Sequence, residues 1–203
     1  MIVYVESNFI LELAYLQEDH EACDEILRLA EQQSVNLVLP AFCVGEPYGA
    51  WVGRDKRRAR LHDDLTRELK ELARSQPYTA SRDEFLDITK ALAVSGGEEK
   101  RRLDRVALRV LKASTLIPID HAVLEAAIDL QTSRDLEPQD SIVYASVLAH
   151  LTASDATLSC FITKNSKDFS NPDIESDLAQ NQCALFTSFG QGYGFLLRTL
   201  KDG

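Results

Sequence analysis

Five oxygen-bearing side chains in four separate segments carry the chemistry open to this sequence. They are Glu6 in "VYVESN" (3–8), Glu46 in "VGEPY" (44–48), Asp140 in "PQDSIVYASVLAHL" (138–151), and Asn165 with Asp168 in "FITKNSKDF" (161–169). A carboxylate placed where a buried strand hands over to a helix is costly unless something compensates its charge. Several such carboxylates brought together repel one another unless a cation joins them. Hard oxygen donors with no histidine or cysteine beside them suit Mg²⁺ or Mn²⁺ rather than zinc. A cation so held activates a water and stabilises charge on a scissile phosphate, so the expected chemistry is phosphoryl transfer.

The acids meet only if the elements that carry them deliver them to one edge. Met1–Val5 reads as a short buried strand and Phe9, Leu11, Leu13 and Leu16 as a helix behind it. His20–Gln32 has Cys23, Ile26, Leu27 and Ala30 at i, i+3, i+4 and i+7, a second helix. "NLVLP" (36–40) is a second strand, followed by a helical stretch in which Pro47 must start, kink or break the helix. The middle reads as three helices, at about 54–74, 82–94 and 98–113, with "SGG" (95–97) separating the last two. The strand–helix rhythm then returns. "STLIPI" (114–119), "SCFIT" (159–163) and "CALFT" (183–187) are strands, and 120–133, 138–151 and 189–200 are helices, the first capped by Asp120. Strands alternating with helices predict a doubly wound α/β fold, a parallel sheet covered on both faces, and ligands bind such sheets at the carboxyl ends of the strands. Glu6, Glu46, Asp140, Asn165 and Asp168 all follow strands or open a helix on that side.

With these motifs in this order, the sequence resembles the PIN-domain nucleases, including the VapC-type toxins. The resemblance rests on "VYVESN", Glu46, the helix around Asp140 and "FITKNSKDF", and covers roughly 1–52 and 114–190. It implies a PIN-like doubly wound parallel sheet flanked by helices and metal-dependent cleavage of RNA. Carried over, Glu6, Glu46 and Asp140 fall on the acidic positions that act in catalysis and hold Mg²⁺ or Mn²⁺, and Asn165 or Asp168 supplies the fourth. Ser7, Asn8 and Thr163 match the small polar positions that steady the acids. Two residues depart from the pattern. Glu6 stands where the family usually has Asp and is one methylene longer, and Asn165 stands where many members have Asp, with Asp168 three residues on to restore the charge. Residues 54–113 hold more helix than a compact PIN domain needs, so the chain is expected to be one domain over 1–203 with a helical elaboration at about 54–113.

Composition bounds the rest. Hydrophobic residues make up 45% of 203, enough for a substantial core, and no apolar run approaches the length of a membrane span. With no signal segment after Met1, the expected setting is cytoplasmic. Four widely spaced cysteines in apolar or helical surroundings read as reduced packing residues. A net charge of −10 argues against a uniformly basic nucleic-acid binder but not against a local basic face. "RDKRRAR" (54–60) and "KRRLDRVALRVLK" (100–112) carry +4 and +5, which leaves −19 on the remainder. In the second stretch Arg101, Arg105 and Arg109 recur every fourth residue. They form either a solvated helix face or a surface that tracks RNA phosphates toward the acids.

The expected function is a metal-dependent ribonuclease with RNA as its partner. A toxin's antitoxin protein and a homodimer are further partners the resemblance allows. The rival from another class is a catalytically silent PIN fold that binds RNA or serves assembly, which Glu6 and Asn165 keep open. A carboxylate-based phosphatase fits less well, because that class needs a nucleophilic Asp directly after the first strand.

Overall fold

The structure is a computed structural model describing residues 1–77, 82–154 and 158–202, excluding the side chains of 82–86 and 202. Five strands, β1 (Ile2–Val5), β2 (Asn36–Pro40), β3 (Ser114–Ile117), β4 (Ser159–Ile162) and β5 (Cys183–Phe186), form one sheet in the order β3-β2-β1-β4-β5. Every pair is parallel. The central strands read as continuous apolar runs because both faces are covered. All of β1 and β4 is buried, as is β2 from Leu37 onward. The register is what matters for function: Val5 lies opposite Ile162, and Ile162 opposite Phe186. The residues that follow, Glu6 and Thr163, therefore leave the sheet side by side.

Around the sheet lie α1 (Ser7–Tyr15), α2 (His20–Glu31), α3 (Phe42–Leu72), α4 (Arg82–Ala113), α5 (His121–Ser133), α6 (Pro138–Ala153), α7 (Ser166–Phe169), α8 (Pro172–Gln180) and α9 (Phe189–Asp202). The sequence-based spans for α1, α2, α5, α6 and α9 agree with these to within a few residues. Asp120 caps α5 as expected, its carboxylate accepting from the Val123 N–H at 2.9 Å. All four cysteines are buried and free.

The middle of the chain differs from the expectation in two places. Residues 42–72 are one helix that runs straight through Pro47. The proline lies in the second turn, where it withholds a single hydrogen bond, and its buried ring packs inward. Residues 82–113 are likewise one helix, uninterrupted at "SGG". Neither glycine there has a positive φ. Instead Gly96 is a contact point: a Cβ would overlap the Asp55 carboxylate of α3, and the Gly96 carbonyl accepts from the Trp51 indole at 3.0 Å. Close approach of two helices, rather than chain reversal, explains this glycine. At 1.5 Å per residue α3 and α4 are each about 45–50 Å long, several times a four-residue strand. Their far halves therefore form an antiparallel pair beyond the sheet, while Leu103 and Val110 of α4 return to the main core. Helix α8 was not foreseen, although Asn171 as N-cap, Pro172 after it, acids in the first turn and the Ile174/Leu178 pair announce it.

Helix α9 packs so closely on β4 that a Cβ at Gly192 would collide with the Ile162 side chain at several atoms. Gly192→Ala should destabilise the protein by about 1–3 kcal/mol through overpacking, despite alanine's better helix propensity. Ile162→Val, which removes the nearest atom, should recover part of that loss in the double variant. Strictly additive effects in urea unfolding of the two single variants and the double would refute the close-approach explanation.

Candidate active site

Glu6 is only 4% exposed, yet it ends a fully buried strand. Its charge is met entirely by neutral donors. One carboxylate oxygen accepts from the Asn8 backbone N–H at 2.7 Å and the Ser7 hydroxyl at 3.1 Å. The other accepts from the Thr163 hydroxyl at 3.1 Å and the Lys164 backbone N–H at 3.4 Å. Glu6 is thus the N-cap of α1 and at the same time a clamp from β1 to the end of β4. Ser7 and Thr163 bond Glu6 through their side chains. Asn8 bonds Glu6 through its backbone N–H.

Glu46 reaches the same edge from the second turn of α3, and Asp140 from the first turn of α6. The Ser7 hydroxyl donates to Glu6 and lies close enough to Glu46 to ease its charge. Asp140 lies near the Asn165 side chain and feels the charge of Asp168 in α7. Burial first, and then the neighbouring acids Glu6 and Asp140, push the Glu46 carboxyl up to about 6. Burial, then Asp168 and Glu6, push Asp140 up to about 6 as well. All five oxygen-bearing residues singled out in the sequence therefore gather at the carboxyl edge of the sheet. Among the described residues, no lysine or arginine pairs with Glu6, Glu46, Asp140 or Asp168.

Three participants were not foreseen. Glu12, 2% exposed on α1, binds the Lys164 ammonium at 2.8 Å and the Asp19 N–H at 2.8 Å. Lys164 also reaches Glu18 at 3.1 Å, so its charge is spent away from the acids while its backbone serves Glu6. The signal was an acid flanked by Leu11 and Leu13 within an apolar helix, which needs a buried partner. Cys43, on the first turn of α3, lies beneath the cluster, and burial together with Glu6, Glu46 and Asp140 pushes its thiol far up. It is a packing group there.

Of the basic stripe on α4, Arg109 lies away from this site. Arg109 is ion-paired with Asp24 and bidentately with Glu31, at 2.6 Å for the closer contact. It lines a hollow with Met1, Asn36 and Ser114, at the amino ends of the strands and so across the sheet from the acids. Arg105 overhangs a groove formed with Leu13, Leu16, Val106 and Tyr193. Only Arg101 and Arg105 of the three remain without an ion pair among the described residues.

A PIN-domain family profile matches residues 3–169, from β1 to the end of α7, and so takes in every residue of the cluster. The chain belongs to the PIN-domain family. Membership indicates a nuclease-type function in general, and the five-stranded parallel sheet fits the family's fold. No curated protein and no solved structure matches the chain significantly. PIN domains typically use divalent metals, and the donor set here, carboxylates and one amide, has the hard-oxygen chemistry they need. The arrangement is open, however: among the described residues no three Asp, Glu, His or Cys side chains are close enough to share one ion. No described helix is long and apolar enough to cross a membrane.

The raised carboxyls set a sign for stability. The unfolded chain releases these protons near pH 4, the folded one near pH 6, so each group removes stability as pH rises through that window and keeps it low above. In the metal-free protein, Glu46→Gln and Asp140→Asn should therefore raise Tm at pH 7 relative to the wild type. The difference should shrink as pH falls toward 4. A difference independent of pH would refute the raised values.

Proposed function

We propose that this protein is a metal-dependent ribonuclease that holds Mg²⁺ or Mn²⁺ at the Glu6, Glu46, Asp140, Asn165 and Asp168 cluster. The observation that carries the reading is that several acids from four segments share one sheet edge and, among the described residues, no cationic side chain pairs with Glu6, Glu46, Asp140 or Asp168. Fixed repulsion of this kind is relieved by a cation. When bound, a divalent cation there supplies Lewis acidity and lowers the pKa of a water.

The chain's own residues do the positioning. Ser7 and the Asn8 backbone hold one oxygen of Glu6, Thr163 fixes the other, and Asn165 stands beside Asp140. Glu46 and Asp140 keep protons up to about pH 6 in the metal-free protein and must release them to bind a cation. Apparent metal affinity therefore rises with pH through that range. RNA as the substrate and an antitoxin partner follow from the family resemblance, and together with a cytoplasmic setting and a second copy of the chain they form part of the proposal.

A second reading, a catalytically silent PIN fold that binds RNA, is favoured by one specific observation. Both Glu6 oxygens already accept internal hydrogen bonds, and the acids stand too far apart to close on one ion without movement.

Single-turnover cleavage of one RNA, with Mn²⁺ or Mg²⁺ and with EDTA, separates the two. The nuclease reading expects cleavage that EDTA abolishes. Asp140→Asn and Glu46→Gln should each slow it by about 100-fold or more, beyond the 10- to 100-fold typical of residues that only support a metal ligand. Glu6→Gln, which keeps the shape but loses the charge, should slow it comparably. An inactive wild type that still binds RNA would establish the silent reading instead.

A further inference from the structure

The first basic stretch, unlike Arg109 on α4, leads to the acids. On α3, at 100° per residue, Lys56, Arg57 and Arg60 fall within an arc of about 100° that also contains Glu46. All three are exposed, and none has an ion-pair partner among the described residues. Their neighbours on the other side of the helix are already committed. Arg58 binds Glu99 through two hydrogen bonds at 2.7 and 2.8 Å, and Arg54 stacks on the Tyr15 ring at 4.0 Å from its centroid. That contrast sorts "RDKRRAR" into a structural half facing α1 and α4 and a free half facing solvent. Between Glu46 and the free cations the exposed face carries Gly49, Ala50 and Gly53, so no long side chain interrupts it. Beyond Arg60 it turns acidic at Asp63 and Asp64, which limits the patch. Along the axis, 10 to 14 residues at 1.5 Å each put the cations about 15–21 Å from Glu46.

We propose that this face of α3 is the docking track for single-stranded RNA, with Lys56, Arg57 and Arg60 gripping backbone phosphates several nucleotides from the scissile bond. The proposal rests on the ribonuclease reading and adds where the substrate lies. In a chain of net charge −10, three adjacent uncompensated cations are a local attraction against a repulsive background, which orients a polyanion along one helix. The helix that delivers Glu46 to the site also fixes its distance from the grip.

The test measures binding of a labelled, unstructured RNA oligonucleotide in EDTA over a range of salt, so that affinity is read without cleavage. Each phosphate neutralised on a single strand contributes about −0.7 to the slope of log K against log salt. The Lys56→Ala/Arg57→Ala/Arg60→Ala variant should show a slope shallower by about 2 and roughly 10- to 100-fold weaker binding near 0.1 M salt. The Arg57→Lys/Arg60→Lys variant should keep the wild-type slope, and Arg101→Ala/Arg105→Ala should change it little. Because the residues are exposed, unchanged Tm verifies that the variants fold. A wild type that binds and cleaves RNA, with a triple variant of identical slope and affinity, would overturn the track and leave the ribonuclease reading standing. A wild type that neither binds nor cleaves RNA would overturn both. RNA binding unchanged but affinity for poly-L-glutamate lost would assign the patch to an acidic protein partner and overturn the proposal.

Discussion

The buried carboxylate of Glu6 is the constraint on which the rest of the site depends. A charge at 4% exposure would ordinarily neutralise or be excluded. Here two hydroxyls and two backbone N–H groups surround it, from both α1 and the end of β4. These bonds require β1 and β4 to be neighbours in a fixed register, since a one-residue slip would turn Thr163 to the other side of the sheet. They also require α1 to start at Ser7. The extra methylene of Glu over Asp lets one side chain span both tasks, with one oxygen capping the helix and the other holding β4. The residue the resemblance marks as a departure is thus tied to a specific local geometry.

The same geometry explains why the cluster stays electrically unbalanced. Lys164, beside Asn165 in sequence, donates its backbone N–H to Glu6 but sends its ammonium to Glu12 and Glu18. An ion pair in which the acid is nearly inaccessible is held more firmly than a surface pair, because breaking it leaves a buried charge unpaired. Glu12 therefore draws the Lys164 ammonium away from Glu6. On α3 the division is similar, with Arg58 and Arg54 engaged against Glu99 and Tyr15. Structural ion pairs absorb the inward-facing cations on both elements.

Much of this was legible in the sequence because the signals were local and strong. Four-residue apolar runs, Asp120 as a cap and the acids just beyond the strands are properties of short windows, and all five strands and the gathering of the five oxygen-bearing residues follow from them. What was not legible depends on partners distant in sequence. Whether Pro47 breaks a helix, or Gly96 ends one, is decided by a neighbouring helix that supplies packing along its length. Trp51 and Asp55 are 45 and 41 residues from Gly96, so no window shows them together. Arg109 has the spacing of a phosphate-tracking stripe, yet its charge is answered by Asp24 and Glu31 on α2, a pairing only the fold creates.

The acids at this edge cost the fold stability at neutral pH, as the raised carboxyls show. Glu46 and Asp140 would each be more comfortable protonated in the fold at pH 5 than ionised at pH 7. A site built only for stability would replace one of them with an amide or an apolar group, as position 165 already carries Asn. The strain is affordable because everything around it is over-determined: Glu6 has four donors, β1 and β4 are wholly buried, and α6 seats its serine hydroxyls on its own backbone carbonyls. The fold favours the protonated form of both carboxyls, so above about pH 6 it is the solvent and not the frame that ionises them, and this edge then carries negative charge that no ion pair among the described residues offsets.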